Sequence, residues 1–141
     1  MQARSVFAVL LTALALVACE KKSEQFTPAN DPSLAAARQE ARDKWPQFVD
    51  AFAKRKPGAY FIVDINYDEG GTTESVTLNV TKATATDVTG TVQNYPQKVS
   101  ITHEQEVTVP LDALVNWMYE TPQGDTEGDF VGKALKARGG G

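Results

Sequence analysis

The clearest pattern in the chain lies at residues 60–80, which read YFIVDINYDEGGTTESVTLNV. Apolar and polar residues alternate on both sides of a Gly-Gly pair, the period expected of half-buried β-strands. Glycine adopts positive φ without strain, so the pair at 70–71 suits a tight turn. We therefore predict a β-hairpin with one apolar face. That face carries Phe61, Val63, Ile65, Tyr67, Val76, Leu78 and Val80.

A helical pattern precedes this hairpin. Asp31-Pro32 is typical of a helix start, with Asp as N-cap and Pro at the first helical position. Apolar residues then follow at spacings of three and four: Leu34, Ala37, Ala41, Trp45, Phe48 and Phe52. Pro46 lacks an N–H and disfavours helix at the residue before it. The pattern predicts a kinked amphipathic helix that ends at Lys56-Pro57-Gly58.

Beyond the hairpin, the pattern predicts a third strand over 88–92, with Gly90 where a side chain would otherwise stand. One or two further strands are expected around His103, at 99–101 and 107–109. We predict a short helix over 111–119 that caps the open end of the sheet, and a last strand over 130–135. The expected fold class is α+β: an N-terminal kinked helix packed on a small, strongly bent antiparallel sheet, with a short helix before the last strand. Closure of the sheet into an SH3-like barrel is left open.

The first 19 residues are typical of a bacterial secretion signal. Arg4 gives a positive start, and the uncharged apolar run that follows is shorter than the about 20 residues of a membrane-spanning helix. The run ends at Leu16-Val17-Ala18-Cys19, which resembles the lipobox of bacterial lipoproteins, where the chain is cut before a Cys that carries the lipid. The alternatives are an ordinary signal with an incidental Cys, or an uncleaved anchor. Glu20, in place of the Asp of an inner-membrane retention signal, favours the outer membrane.

These features give four predicted segments. Residues 1–18 form the signal peptide, and residues 19–32 hold the lipidated Cys19 and a polar, flexible tether, unless Phe26 packs onto the domain. Residues 33–137 form the folded domain, and residues 138–141 form a frayed tail.

Composition excludes several kinds of function. The formal net charge is -4, which argues against nucleic acid as a partner because phosphates need a clustered basic surface. One Cys and one His rule out a Cys-built or His-pair metal site, and no Gly-rich phosphate loop is present. We therefore predict neither a metal nor a cofactor.

Candidate catalytic groups are few. His103 is the one imidazole of the chain and has no nucleophile elbow nearby, so a solvated loop histidine is the simpler interpretation. Asp64, Asp68 and Glu69 lie close to the hairpin turn, and paired carboxylates can cleave glycosides. An outer-face Asp64 is more simply a solubilising residue. No catalytic residue is predicted.

A candidate binding surface lies near the C-terminal end. Three large residues at 117–119 cannot all point inward from one turn of helix, and an acidic, Gly-rich loop follows them. Exposed aromatic residues beside such a loop are typical of partner-binding patches. The alternatives are that Trp117 plugs the end of the sheet and Tyr119 begins the next strand. A calcium loop is disfavoured because the EF-hand spacing is not met. The candidate partner-binding residues are Trp117, Met118, Tyr119, Asp125, Glu127 and Asp129.

One family resemblance emerges from these residues. The string VPLDALVNWMY at 109–119, with 41–48, 60–63, Glu74, 90–92 and 94–96, resembles the YegJ-like family, domain of unknown function number 2314. The likeness runs from about Leu34 to Leu135, and the family usually has Asp at position 116. The chain departs from the family at Glu104-Gln105, where Gly-Asp is usual. It departs again at 130–133, where a Gly-Gly-Tyr-Thr-like strand is usual. The resemblance implies a small α+β domain and brings no activity with it.

The function expected from the sequence is that of a non-enzymatic, periplasm-facing lipoprotein that binds a protein or cell-wall partner. The second hypothesis is an immunity-type lipoprotein that inhibits a periplasm-acting toxin, because inhibition needs only a complementary surface. An envelope hydrolase is a distant third.

Overall fold

The computed structural model describes residues 30–139. Helices α1, α2 and α3 span Ala35–Asp43, Trp45–Ala53 and Phe130–Gly139. Strands β1 to β6 span Phe61–Glu69, Thr72–Ala83, Asp87–Val92, Glu106–Pro110, Leu114–Glu120 and Thr126–Gly128. Single 3-10 turns lie at Pro32–Leu34 and Leu111–Ala113. The predicted signal peptide, Cys19, the tether as far as residue 29 and Gly140-Gly141 lie outside the described residues.

The six strands form one antiparallel sheet in the order β4-β3-β2-β1-β5-β6, and the sheet is strongly curled. The predicted α+β class is therefore confirmed. Strands β4 and β6 are the two edges, so the sheet stays open and does not close as an SH3-like barrel. Within residues 30–139, no helix is long and apolar enough to cross a membrane.

The predicted helical stripe is confirmed, since Leu34, Ala37, Ala41, Trp45, Phe48 and Phe52 are all buried. The chain starts its first helical turn at Asp31, whose carboxylate accepts the Ser33 N–H at 2.9 Å. The predicted break is also present. Helix α1 ends at Asp43 and α2 begins at Trp45, with Pro46 in its first turn, where the missing N–H costs no internal hydrogen bond.

The predicted hairpin is confirmed with its expected faces. Val63 pairs with Leu78 and Ile65 pairs with Val76, and all four are fully buried. The turn between β1 and β2 uses Gly70 and Gly71, whose φ angles are 56° and 84°. The apolar face of this hairpin packs under α1 and α2 as the centre of the core.

Strand β5 replaces most of the predicted helix over 111–119, which was wrong. Only Leu111–Ala113 is helical, as a 3-10 turn, and Leu114–Glu120 pairs with β1. The register shifts so that Asp64 faces Asn116 while Ile65 faces Leu114, which leaves Val115 as an extra residue in a β-bulge. The bulge places Leu114 and Trp117, three residues apart, on the same buried face, and this mimics helical spacing.

Helix α3 replaces the predicted last strand over 130–135, which was also wrong. Phe130 is buried against Trp117, with ring centroids 4.9 Å apart. The helix continues through Arg138 and Gly139, the first two residues of the expected frayed tail. Arg138 also pairs with Asp31 at 3.3 Å, so this end of the chain is tied to the start of the domain.

The strand expected at 99–101 does not form, whereas the one at 107–109 is confirmed as β4. Residues 93–105 form a loop that buries Ile101 in the core. Glu74 holds this loop by accepting the N–H groups of Gln97 and Lys98 at 2.9 and 2.6 Å. These backbone hydrogen bonds, the one from Gln97 first, lower the pKa of the Glu74 carboxyl.

Candidate functional site

An open groove of about 510 Å³ lies at the end of the sheet where α2 stops. It is bounded by the connection from Lys54 to Tyr60, by Phe61 at the start of β1 and by the end of β5 with the residues after it. We call it the Tyr60 groove.

Local sequence explains the shape of this groove. Helix α2 ends when the Lys54 N–H bonds back to the carbonyls of Asp50 and Ala51 at 3.3 and 3.2 Å. The following Pro57-Gly58 pair turns the chain, with Gly58 at a φ of 81°, and the Ala59 N–H donates to the Lys56 carbonyl at 3.1 Å. The chain therefore leaves the helix as a loop, and this loop forms one wall of the groove.

Aromatic side chains form much of the groove wall. Phe61 and Tyr119 stack with centroids 4.9 Å apart, and both line the groove. Tyr60 lines the groove with 56% of its surface exposed, and within residues 30–139 it is one of two large apolar side chains that are exposed. An aromatic residue with a polar tip at the rim of a cleft is typical of interface anchors.

The connection after α2 carries three consecutive cations. Lys54 pairs with Asp50 at 2.8 Å. Arg55 lies 3.6 Å above the Phe52 ring and donates from Nη1 to the Phe52 carbonyl at 2.7 Å, so its guanidinium is held in place. Among residues 30–139, no carboxylate forms an ion pair with Lys56. Cations after a helix C-terminus also complement the helix dipole.

The residues predicted as a binding patch are dispersed by the fold. Trp117 has no exposed surface and donates from Nε1 to the Ala41 carbonyl, so it belongs to the core and not to a surface patch. Met118 lies on the other face of β5, opposite Ile62, and is half-buried. Tyr119 alone of this trio reaches the groove. Asp125 and Glu127 are exposed on the β5–β6 hairpin.

Asp129 belongs instead to a polar cluster on the outer face of the sheet. Asn116, 3% exposed, donates to the Asp129 carboxylate at 3.1 Å, and the Gly132 N–H donates to the same oxygen at 3.2 Å. Asp129 therefore caps the start of α3 and joins it to β5. No group of three or more His, Cys, Asp or Glu side chains in the described residues is placed to hold a metal ion.

Asp64 is part of the same cluster and is not the solvated residue that its position on the strand predicted. It is partly buried, and its carboxylate accepts the Thr77 hydroxyl at 2.7 Å. Burial raises the pKa of the Asp64 carboxyl; the hydrogen bonds from Thr77 and Asn116 oppose this, and the negative charge of Asp129 adds to it.

His103 likewise differs from a freely solvated loop residue. It is half-buried in the 93–105 loop, and its ring stacks on Tyr95 with centroids 4.3 Å apart. Its Nδ1 atom is buried without a hydrogen-bond partner among the described residues.

The Tyr60 groove was missed by sequence reasoning. The sequence signal that could have indicated the groove is the run Lys54-Arg55-Lys56 followed by Pro-Gly and an isolated Tyr. Our prediction used those residues only to end the helix. Tyr60 and Tyr119 line one groove because β1 pairs with β5, where Phe61 lies opposite Tyr119 and the Glu120 N–H donates to the Tyr60 carbonyl at 3.3 Å. The sequence pattern did not predict this pairing.

Together, fold and groove define a small α+β domain in which a two-part helix covers a curled antiparallel sheet. The chain belongs to the family DUF2314, described as an uncharacterized protein conserved in bacteria, whose model matches residues 31–138. The resemblance to domain of unknown function number 2314 is thus confirmed. No curated protein and no solved structure matches the chain.

Proposed function

We propose that the chain is a non-enzymatic, lipid-anchored and periplasm-facing domain that binds another envelope component through the Tyr60 groove. The observation that carries this proposal is the groove itself. Its lining includes the exposed Tyr60, the stacked Phe61–Tyr119 pair and Arg55. Tyrosine and arginine are the residue types that, with tryptophan, dominate binding energy at protein interfaces.

The anchor in this proposal is Cys19. It stands at the end of the lipobox-like Leu16-Val17-Ala18-Cys19 and is followed by the polar residues Glu20-Lys21-Lys22. Several acyl chains on one Cys would hold the protein firmly, since a single chain anchors only marginally. In this proposal the lipid holds the domain at the membrane surface and the groove binds the partner, so the function requires no catalytic group in the domain.

Two of the groups that the sequence offers to a hydrolase, His103 and Asp64, make structural contacts in this fold. His103 stacks on Tyr95, and Asp64 is bonded to Thr77 on the sheet. These contacts favour binding over hydrolysis as the role of the domain.

An immunity role is the second candidate, and it rests on the β5–β6 hairpin. Asp125 and Glu127 are exposed there, next to the groove residue Thr121, whose N–H bonds to the Asp125 carbonyl at 2.8 Å. Exposed carboxylates can cover the cationic substrate site of a toxin. Loss of protection against a toxin encoded beside this gene, caused by Asp125→Asn with Glu127→Gln, would establish this role.

Chemical crosslinking in intact cells tests the binding proposal. The full lipoprotein is compared with Tyr60→Ala and with Tyr95→Ala, which removes the other exposed tyrosine outside the groove. The proposal predicts a discrete adduct that Tyr60→Ala loses and Tyr95→Ala keeps. An adduct unaffected by Tyr60→Ala contradicts it. So does turnover of a wall substrate that disappears with His103→Ala or Asp64→Ala.

A further inference from the structure

The charge and hydrogen-bonding character of the Tyr60 groove specify the chemistry of its occupant. Resting on the proposed binding function, we infer that the groove takes an acidic segment of a partner protein, with carboxylates at the Lys54–Lys56 rim and an apolar side chain against Tyr60.

The first argument is charge. The chain as a whole is acidic, with a formal net charge of -4, yet the groove is lined by three cations and one carboxylate, Glu120. Asp50 compensates Lys54 on the outer side of the helix, whereas no carboxylate within residues 30–139 is paired with Lys56. The basic cleft attracts anionic groups, whereas the acidic remainder of the protein surface repels them. This difference steers an anionic partner to the groove and gives specificity.

The second argument is the balance of donors and acceptors. Lys54, Arg55 and Lys56 offer only donors, and the side-chain acceptors of the lining are Glu120, Thr121 and the tyrosine hydroxyls. Carboxylates supply acceptors without donors and match such a lining. A glycan presents many hydroxyl donors, and the lining contains no Asn, Gln or Asp to receive them. The groove therefore favours an acidic peptide over a wall glycan.

The third argument is preorganisation. Arg55 is fixed by its contact with the Phe52 ring and by its bond to the Phe52 carbonyl. A guanidinium held in place loses little conformational freedom when it binds a carboxylate, and its planar fork suits bidentate pairing. Tyr60, 56% exposed, lines the same groove and offers an aromatic surface to an apolar side chain of the same segment.

A binding measurement with defined probes tests this inference. The full lipoprotein in neutral detergent is titrated into a short fluorescent peptide that alternates glutamate with phenylalanine. A twin peptide with lysine in place of glutamate, and soluble peptidoglycan fragments, serve as the competing probes. Lys56→Glu is compared with Lys136→Glu, an exposed change on α3 with the same effect on net charge.

The expected result is saturable binding of the acidic peptide, weakened about tenfold by Lys56→Glu, less by Lys56→Gln, and further by high salt. Lys136→Glu should leave the affinity within about twofold of wild type, since Lys136 is exposed and does not line the groove. Circular dichroism confirms that each variant is folded.

Equal binding of the lysine peptide, tighter binding of the glycan fragments, or equal weakening by both charge reversals would overturn the inference. These outcomes are separate from failure of the proposed function. A crosslinked adduct in cells that still depends on Tyr60 would keep the groove as a binding site and reject only the acidic partner.

Discussion

The Nε1–H of Trp117 donates a 2.8 Å hydrogen bond to the backbone carbonyl of Ala41. The donor lies on β5 and the acceptor in the last turns of α1, where carbonyls lose their partners within the helix. This buried hydrogen bond thus caps the C-terminal end of α1, just before the break that Pro46 causes between α1 and α2. It fixes the helix over the sheet that supports Tyr119 in the groove.

Replacing Trp117 with Phe should destabilise the domain strongly. The change leaves the Ala41 carbonyl buried without its partner and opens a small cavity, and together these should cost about 3 kcal/mol of unfolding free energy. Trp45→Phe is the matched comparison, because Trp45 Nε1 bonds to the Thr84 carbonyl at 2.8 Å in a turn that water can reach. Urea unfolding should show the larger loss for Trp117→Phe. Equal losses of unfolding free energy in the two variants, or a larger loss for Trp45→Phe, would show that the hydrogen bond from the Trp117 indole to α1 does not dominate the effect of Trp117→Phe on stability.

The close packing around Gly90 leads us to expect that a larger residue there destabilises the domain. A Cβ added there would lie 2.6 Å from the Asn79 carbonyl oxygen and 2.9 Å from the Leu78 Cβ. Strands β2 and β3 would have to move apart, so Gly90→Ala should cost about 2 kcal/mol. Gly139→Ala at the end of α3 meets no atom within 4 Å and is the control. Thermal unfolding should place the control at or slightly above wild type and Gly90→Ala well below it. An unchanged melting temperature for Gly90→Ala would refute the close strand contact.

Asp64 predicts how stability depends on pH. Burial raises the pKa of its carboxyl above the ordinary value of 3.8, so the folded state holds this proton at pH values where the unfolded state has released it. The group's stabilising contribution is therefore complete below that ordinary value and is lost as pH rises through the folded pKa.

Asp64→Asn removes the buried charge and keeps an oxygen for the Thr77 hydroxyl. The variant should be more stable than wild type at pH 7, and its advantage should shrink as pH falls towards the ordinary carboxyl pKa. Asp125→Asn changes an exposed carboxyl and controls for net charge. Urea midpoints across this pH range give the comparison. If the gain in stability from Asp64→Asn were the same at every pH, burial of the ionised Asp64 carboxylate would not be its cause.

Cys19 predicts a covalent modification. Cells fed an alkyne-labelled fatty acid should transfer the label to the chain that remains after the predicted cut before Cys19, and Cys19→Ala should abolish this labelling, because Cys19 is the one thiol in the sequence. Ser23→Ala, a few residues further along the tether, should retain the label. Label that persists in Cys19→Ala would contradict the proposal that Cys19 carries the lipid anchor.

Local patterns were sufficient for the first half of the fold. The stripe from Leu34 to Phe52 and the hairpin around Gly70-Gly71 were predicted because each element buries one face, so its period is visible in the sequence. Strand β5 is different. It lies between β1 and β6, and the bulge at Val115 puts Leu114 and Trp117 on one face, so the strand carries the spacing of a helix.

Helix α3 was misassigned for a different reason. Its start is defined by Asp129, whose carboxylate is shared between Asn116 on β5 and the Gly132 N–H. The bond from the Gly132 N–H to the Asp129 carboxylate is a local helix-start signal that the sequence analysis did not use, whereas the bond from Asn116 depends on the position of β5. The Tyr60 groove and the cluster around Asp64 depend in the same way on the pairing of β1 with β5. A single sequence shows the residue types of both sites but not which strands bring them together.

The most direct test of the Tyr60 groove as the binding site is photocrosslinking in intact cells. A photoreactive benzoyl-phenylalanine replaces Tyr60 in one form of the protein and Tyr95, 69% exposed and outside the groove, in the other. The expected result is one discrete adduct from position 60, mapped by mass spectrometry to an acidic segment of an envelope protein, and none from position 95. An adduct from position 95 with none from position 60 would contradict the account.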